Sequence, residues 1–281
     1  MKTNYLNNRD MLREIHRSKI TYSSYKAKED QDYDLIIQNF DNLQEKITQA
    51  RTIRANRMAV EAQEQASKQN KKSRLEEHQV DPETVPVENL VFRLMTWQHI
   101  PENDAWIEKQ SQMEEDDEDL AELDPETIKM SKRHVRVNFP PFEHYRLDKE
   151  LKPQCVGRSH WKGTIENGAF SKDHGTMTRE LAMMFMKLCD RYASRGNWRG
   201  YTYNDEMKGQ ALLHLTQIGL QFDESKSSNP FSYYTQSLTN SFTRVLNIEK
   251  RHQNIRDDIL EMNNYNPSYT RQGNWQYNGD E

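Results

Sequence analysis

The chain has 281 residues, 34% of them hydrophobic and 30% charged, with a mean hydropathy of -1.08 and a formal net charge of -5. That composition excludes a single apolar core spread over the whole length, and it excludes a protein that coats polyanions through bulk charge. No apolar run approaches the roughly 20 residues of a membrane span, and two cysteines, Cys155 and Cys189, without a signal peptide point to a reducing compartment.

In chain order, residues 1–20 predict an N-terminal helix, capped by Asn7 or Asn8, with Leu6, Leu12 and Ile15 on its apolar side. From Glu29 to His78 neither Gly nor Pro interrupts a stretch rich in helix formers. Within it Ile36, Phe40, Leu43, Ile47 and Ala50 alternate spacings of four and three, a heptad-like seam that Arg54 and Arg57 interrupt. A helical hairpin and a partner-binding helix fit this pattern equally. Residues 61–79 are almost wholly polar, as in a solvated helix or disorder. In the next segment Val91, Leu94, Met95 and Trp97 can pack.

Glu114, Glu115, Asp116, Asp117, Glu118 and Asp119 then form an acidic run, extended by Glu122, Asp124 and Glu126. Such a run is ordinarily solvated; its functional reading is a mimic of DNA or a plug for a basic channel. Residues 21–130 are therefore expected to form a helical and acidic low-complexity insert. Prolines and glycines punctuate 131–176, which predicts an irregular connecting segment with the candidate strand HVRVNF at 134–139.

Regular helical periodicity resumes in 177–256. Leu181, Met184, Phe185, Leu188, Cys189 and Tyr192 give one helix its buried stripe, and Gly196 ends it. Asn204 is the expected cap of the next, with Asp205 and Glu206 in its first turn and Met207, Ala211, Leu215, Ile218 and Phe222 as its stripe. Asn229-Pro230 opens the last helix as cap and first-turn proline. Its inner face is expected to carry Phe231, Tyr234, Leu238, Phe242, Val245 and Ile248 or Glu249. Three matched stripes on short loops can bury a shared core. Residues 257–281 read as an acidic C-terminal tail.

The fold class expected is mainly α: a helical bundle near the C-terminus, with a long, partly helical and partly disordered segment before it. Between the core positions of the last helix stand Tyr233, Gln236, Ser237, Asn240, Thr243, Arg244 and Asn247, followed by Lys250 and Arg251. Aromatic rings can stack on bases, Asn and Gln can read base edges, and cations can hold phosphates. Polar residues also face outward on any soluble helix.

Metal and enzyme readings are weaker. Cys155, His160, His174 and Cys189 lack any CxxC or HxxxH pair that would fix two ligands locally, so no metal or cofactor is expected. No nucleophile-elbow, zinc-protease, phosphate-loop or dinucleotide motif occurs. Asp205, Glu206 and Asp223 lie at opposite ends of one predicted helix and cannot share an ion.

The order WRGYTYNDEM, FDESKSSNPFSYYTQSLTNSFTRV and IEKRHQNIRDDI, with NYLNNRDML at the N-terminus, resembles region 2 of bacterial sigma factors. More closely it is similar to the late-promoter sigma factors of T-even-type bacteriophages and their marine relatives. The resemblance covers about the last hundred residues and the first twenty; residues 21–170 look like an insertion. It implies a protein without enzymatic activity that binds host core RNA polymerase in the infected cell's cytoplasm and directs it to AT-rich late promoters.

On this resemblance the clamp helices of the polymerase's largest subunit meet Asp205, Glu206, Lys208, Gln210, Leu213, His214 and Gln217. Promoter DNA meets Tyr233, Tyr234, Gln236, Asn240, Thr243, Arg244, Asn247, Lys250 and Arg251. Two departures stand out. Ser237 and Leu238 occupy the neighbourhood where primary sigma factors carry a tandem tryptophan wedge, and no helix-turn-helix is expected after residue 260. Late phage sigma factors offset the second by binding a DNA sliding clamp, with a late co-activator, through a C-terminal tail; Trp275, Tyr277, Asp280 and Glu281 would serve here. The rival expectations are a virion structural protein and a metal-dependent nucleic-acid enzyme.

Overall fold

The computed structural model describes residues 6–69, 74–104, 107, 133–172 and 177–272. The chain is mainly α with a five-stranded mixed sheet. It divides into two compact units: a helical unit of Met1–Leu12, Arg179–Gly219 and Asn229–Glu281, and a sheet unit of Arg13–Thr178 and Leu220–Ser228.

The helical unit contains the start of α1 (Asn8–Ile20), α3 (Arg179–Ala193), α4 (Asn204–Ile218) and α5 (Pro230–Met262). Most stripe positions meet as their spacing predicts: Leu181, Phe185, Leu188, Cys189 and Tyr192 of α3, Met207, Ala211 and Leu215 of α4, and Tyr234, Leu238, Phe242 and Val245 of α5 are buried, whereas Met184, Ile218 and Phe231 are only half-buried. Aromatic edges lock them, with Phe185 against Tyr234 at 4.8 Å and Tyr192 and Trp198 against Phe242 at 5.0 and 5.4 Å between ring centroids. Removing a ring as buried as Phe242 costs about 3–5 kcal/mol.

The first turn of α5 shows why the helix starts where it does. Pro230 has no N–H to satisfy; Phe231 N donates to Asn8 Oδ1 at 3.1 Å and Ser232 N to Asn229 Oδ1 at 3.0 Å. Tyr233 N reaches the Asn229 carbonyl at 3.5 Å, so each donor that the first turn leaves open has an acceptor. Asn7 caps α1, its Oδ1 accepting from Asp10 N at 2.7 Å.

Four expectations for this unit need correction. Helix α4 ends at Ile218, so Phe222 lies in the connector beyond it and not on its stripe. Asn204 lies inside α4 instead of capping it, and its amide donates to the carbonyls of Ala193 and Trp198 at 3.2 and 3.0 Å. Ile248 is 43% exposed and Glu249 only half-buried, so the buried inner face of α5 ends at Val245. No boundary falls at residue 257, because α5 is 33 residues long and runs through it. Asp257 is buried there, accepting from Ser268 N at 2.8 Å and Ser268 Oγ at 2.7 Å.

The sheet unit corrects two expectations: among the described residues 21–130 is not only helical, and 131–176 is not an irregular connector, because both supply strands to one sheet. Its strands are β1 (Ser23–Tyr25), β2 (Leu35–Ile37), β3 (Phe92–Met95), β4 (Phe142–Leu147) and β5 (Pro153–Ser159), in the order β1-β5-β4-β3-β2. All pairs are antiparallel except β2 with β3, which run parallel. A hairpin of β6 (Trp161–Lys162) and β7 (Ala169–Phe170) follows. Strands β4 to β7 thus lie in the stretch expected to be irregular. The strand expected at 134–139 reduces to a single bridge between Glu102 and His134.

The heptad-like seam also breaks. Ile36 belongs to β2 and Phe40 to the turn after it, while α2 spans Leu43–Lys68. Ile47, Ala50 and Ala55 of α2 pack with Ile37, Leu90, Phe92 and Leu147, so the seam covers one face of the chain's own sheet. Arg54 and Arg57, which interrupt it, pair with the buried carboxylate of Asp34. The acidic run at 114–126 lies outside the described residues. Of the described residues, no helix is long and apolar enough to cross a membrane.

Candidate nucleic-acid interface

On an α-helix each residue advances by about 100°. Tyr233, Gln236, Asn240, Thr243, Arg244, Asn247, Lys250 and Arg251 then share a strip about 120° wide and, at about 1.5 Å per residue, roughly 27 Å long. Gln236, Asn240, Thr243, Arg244, Asn247, Lys250 and Arg251 are exposed. Gln236 Nε2 donates to Asn240 Oδ1 at 3.1 Å, which orders two amides along the strip. Tyr233 is half-buried, its ring 5.2 Å from that of Tyr234, and burial raises its hydroxyl pKa.

Tyr234 leaves the set. It is 0% exposed, and its hydroxyl donates to the carbonyl of Gly219. A ring closed off in this way cannot stack on a base. The periodicity places it on the inner face, against the base-stacking role expected of an aromatic at the start of this helix.

The residues expected to meet polymerase divide similarly. Glu206, Gln210, Leu213, His214 and Gln217 of α4 line a groove whose other wall includes Asn240, Arg244, Ile248 and Glu249 of α5. Leu213 is 58% exposed there, an apolar side chain that the bundle leaves uncovered. Asp205 stands apart from the groove and pairs with Lys208 at 2.8 Å, which lowers the carboxyl pKa. Thus the two expected contact sets adjoin along one groove. Across α5, Asn240, Thr243, Arg244, Asn247, Ile248 and Arg251 line a second, open depression. Trp275, Tyr277, Asp280 and Glu281 lie outside the described residues.

The sequence left two side-chain clusters of the sheet unit unseen. In the first, register sets Arg93 opposite His144, so both point to the same side of the sheet. Arg93 Nε donates to His144 Nε2 at 3.0 Å, and its Nη1 to Glu224 Oε2 at 2.8 Å. Its Nη2 lies 3.2 Å from His16 Nδ1, which must accept because a guanidinium carries no acceptor. The rings of Tyr33 and Phe142 cover the group at 3.9 and 3.8 Å. Glu224 also takes bonds from Tyr33 Oη at 2.6 Å and Lys19 Nζ at 3.1 Å. Burial raises its carboxyl pKa, but Lys19, Arg93 and the Tyr33 hydroxyl outweigh that and hold it well below the usual carboxylate range. Gly157 is needed beside this cluster, since a Cβ there would stand 2.4 Å from the ring of Tyr25. The available signal was Arg93 itself, one cation inside the apolar run from Val91 to Met95.

The second cluster resembles a serine-hydrolase triad in outline. His99 Nε2 lies 3.3 Å from Ser159 Oγ, and its Nδ1 lies 3.9 Å from Glu143 Oε1. Yet His99 Nε2 is 3.0 Å from the Ser159 carbonyl, so it carries the proton and cannot act as base toward Oγ. Ser159 is 0% exposed, and its Oγ accepts from Phe142 N at 2.8 Å. These bonds tie β4, β5 and the turn after β3 together.

Of the residues weighed for a metal, Cys155 lies near Glu143, Cys189 sits on the inner side of α3, and His174 is outside the described residues. Among the described residues no group of three His, Cys, Asp or Glu side chains could hold an ion. Comparison of the chain with protein-family models, curated proteins and solved structures returned no match.

Proposed function

We propose that the protein is a sigma-like initiation factor: it binds host core RNA polymerase and directs it to AT-rich viral late promoters, without chemistry of its own. The observation that carries this reading is the outward strip of α5, with Gln236, Asn240, Thr243, Arg244, Asn247, Lys250 and Arg251 exposed on one side of a helix. Arg244, Lys250 and Arg251 supply phosphate contacts, and the amides between them supply base-edge donors and acceptors. Duplex opening is cheapest at the TA steps of an AT-rich element.

In this reading the uncovered Leu213 and its neighbours on α4 dock on the clamp helices of the polymerase's largest subunit. Trp275, Tyr277, Asp280 and Glu281 serve a sliding clamp, alongside a late co-activator, and the protein works in the cytoplasm of the infected bacterium. One short basic strip makes few phosphate contacts, so the free protein binds promoters weakly and needs polymerase.

The test mixes the purified chain with bacterial core RNA polymerase on a supercoiled template carrying an AT-rich late-type promoter. Transcripts starting at that promoter are expected. Polymerase binding without specific starts would leave an accessory or inhibitory binder, and absence of binding would reject the reading.

A further inference from the structure

The connector between α4 and α5, Leu220–Ser228, belongs to the sheet unit. Lys19 Nζ donates to the Phe222 carbonyl at 2.8 Å and to Glu224 Oε1 at 3.1 Å. Arg93 Nη1 and Tyr33 Oη donate to Glu224 Oε2 at 2.8 and 2.6 Å. Both carboxylate oxygens are engaged, by donors from α1, from β3 and from the turn before β2, and the side chain is only 6% exposed. Asp223 tightens the same segment, its Oδ1 accepting from Ser225 N at 3.0 Å.

A loop between two helices has no general need for this. Connectors are ordinarily solvated, and a buried ion cluster is poor at adding net stability compared with apolar packing of the same volume. What the cluster does supply is a single position for the connector. Glu224 can leave only by abandoning two buried cations, Lys19 and Arg93, whose side chains are 4% and 2% exposed.

We propose that the sheet unit is a positioning device for the α4–α5 connector, with Glu224 as the residue that fixes it. The proposal rests on the reading of α4 as the polymerase-docking helix and α5 as the promoter-contacting helix. On that reading the connector sets how the end of α4 leads into the start of α5. Glu224 touches neither polymerase nor DNA and acts through Leu220–Ser228.

The test uses the full chain with two substitutions. Glu224→Gln keeps the shape and removes the charge; Tyr33→Phe removes one donor and leaves the ring over Arg93, a milder change that keeps the test open if the first variant folds poorly. Hydrogen exchange of the connector amides is read beside polymerase retention and transcript yield from a late-type promoter. Glu224→Gln is expected to speed exchange across 220–228 while the amides of α4 and α5 stay protected. Polymerase retention holds, and promoter-directed transcripts fall roughly tenfold, the scale of one coupling between sites. Tyr33→Phe shifts the same readouts less. Unchanged connector exchange in both variants overturns the proposal, as does faster exchange with wild-type transcript yield. If the wild-type chain starts no transcripts, the sigma-like reading fails, and connector exchange alone decides whether Glu224 holds the segment.

Discussion

Two asparagines far apart in sequence close the first turn of α5: Asn229 caps it from within, and Asn8 caps it from the start of α1. Each side chain answers one backbone N–H, so Asn229→Ala and Asn8→Ala should each cost about 1 kcal/mol. Urea unfolding of the helical unit measures this, and a neutral Asn8→Ala would show that the contact from α1 is incidental. Asn229 was legible from the Asn-Pro dipeptide, whereas Asn8 was readable only as a cap of its own helix. Long-range caps leave no local spacing to detect. At the same scale, Arg244 is exposed and lines both the groove and the depression beside it, so it tests the site more directly than any tyrosine. Arg244→Glu is expected to abolish promoter-directed transcripts while polymerase retention stays intact, because a phosphate contact becomes a repulsion. Loss of both together would mean that this strip does not separate DNA from polymerase.

At the scale of elements, helices with apolar stripes were readable and the strands were not. The stripes of α3, α4 and α5 fall where a period of 3.6 puts them, since their buried positions are nearly all apolar. Helix α1 was expected, but with Leu6, Leu12 and Ile15 on its apolar side; it buries Met11, Glu14, Ile15, Ser18 and Lys19, a face whose three polar members the hydrophobic pattern did not show. The sheet was hidden for a related reason. Strand β3 buries Phe92 toward α2 and Arg93 toward the charged cluster, so it shows no alternation of apolar and polar residues, and β1 and β2 are only three residues long. In the candidate site, the groove between α4 and α5 follows from outward faces that the periodicity did define. Its apolar member, Leu213, is the most sensitive probe of docking. Leu213→Asp together with Gln217→Lys should release core polymerase in a pull-down and leave the fold unchanged, because both side chains are exposed. Undiminished retention would remove α4 from the docking surface.

For the molecule as a whole, the two units differ in what holds them, and acid should tell them apart. The helical unit is built on apolar and aromatic contacts, whereas the sheet unit encloses titratable groups. Around His144 stand Arg93 on β3, His16 on α1, Glu224 on the connector, the Asp30 carbonyl, and the rings of Tyr25 and Tyr33. His144 Nδ1 donates to that carbonyl at 2.6 Å and its Nε2 accepts from Arg93, so the ring is held neutral. Burial is the main cause that pushes its pKa well below the ordinary histidine value, and the Arg93 guanidinium adds to it. The unfolded ring takes a proton near pH 6.5 and the folded ring resists it. Stability is therefore complete above about pH 6.5 and falls below it, by about 1.4 kcal/mol per pH unit until the folded ring titrates. Burial lowers the pKa of His99 as well, which adds loss in the same direction. The carboxyl of Glu224, held below the usual range, contributes stability above its unfolded pKa of about 4.5 that is lost as pH falls further. Between pH 7 and pH 5 the sheet unit should therefore lose stability through His144. His144→Gln, which can still offer Arg93 an oxygen, should be less stable at pH 7 and flatter across that window. Hydrogen exchange in β3, β4 and β5 at the two pH values reads both effects. An unaltered slope in the variant would place the acid response elsewhere, and equal acid sensitivity in α3 and α5 would mean that the units do not respond separately.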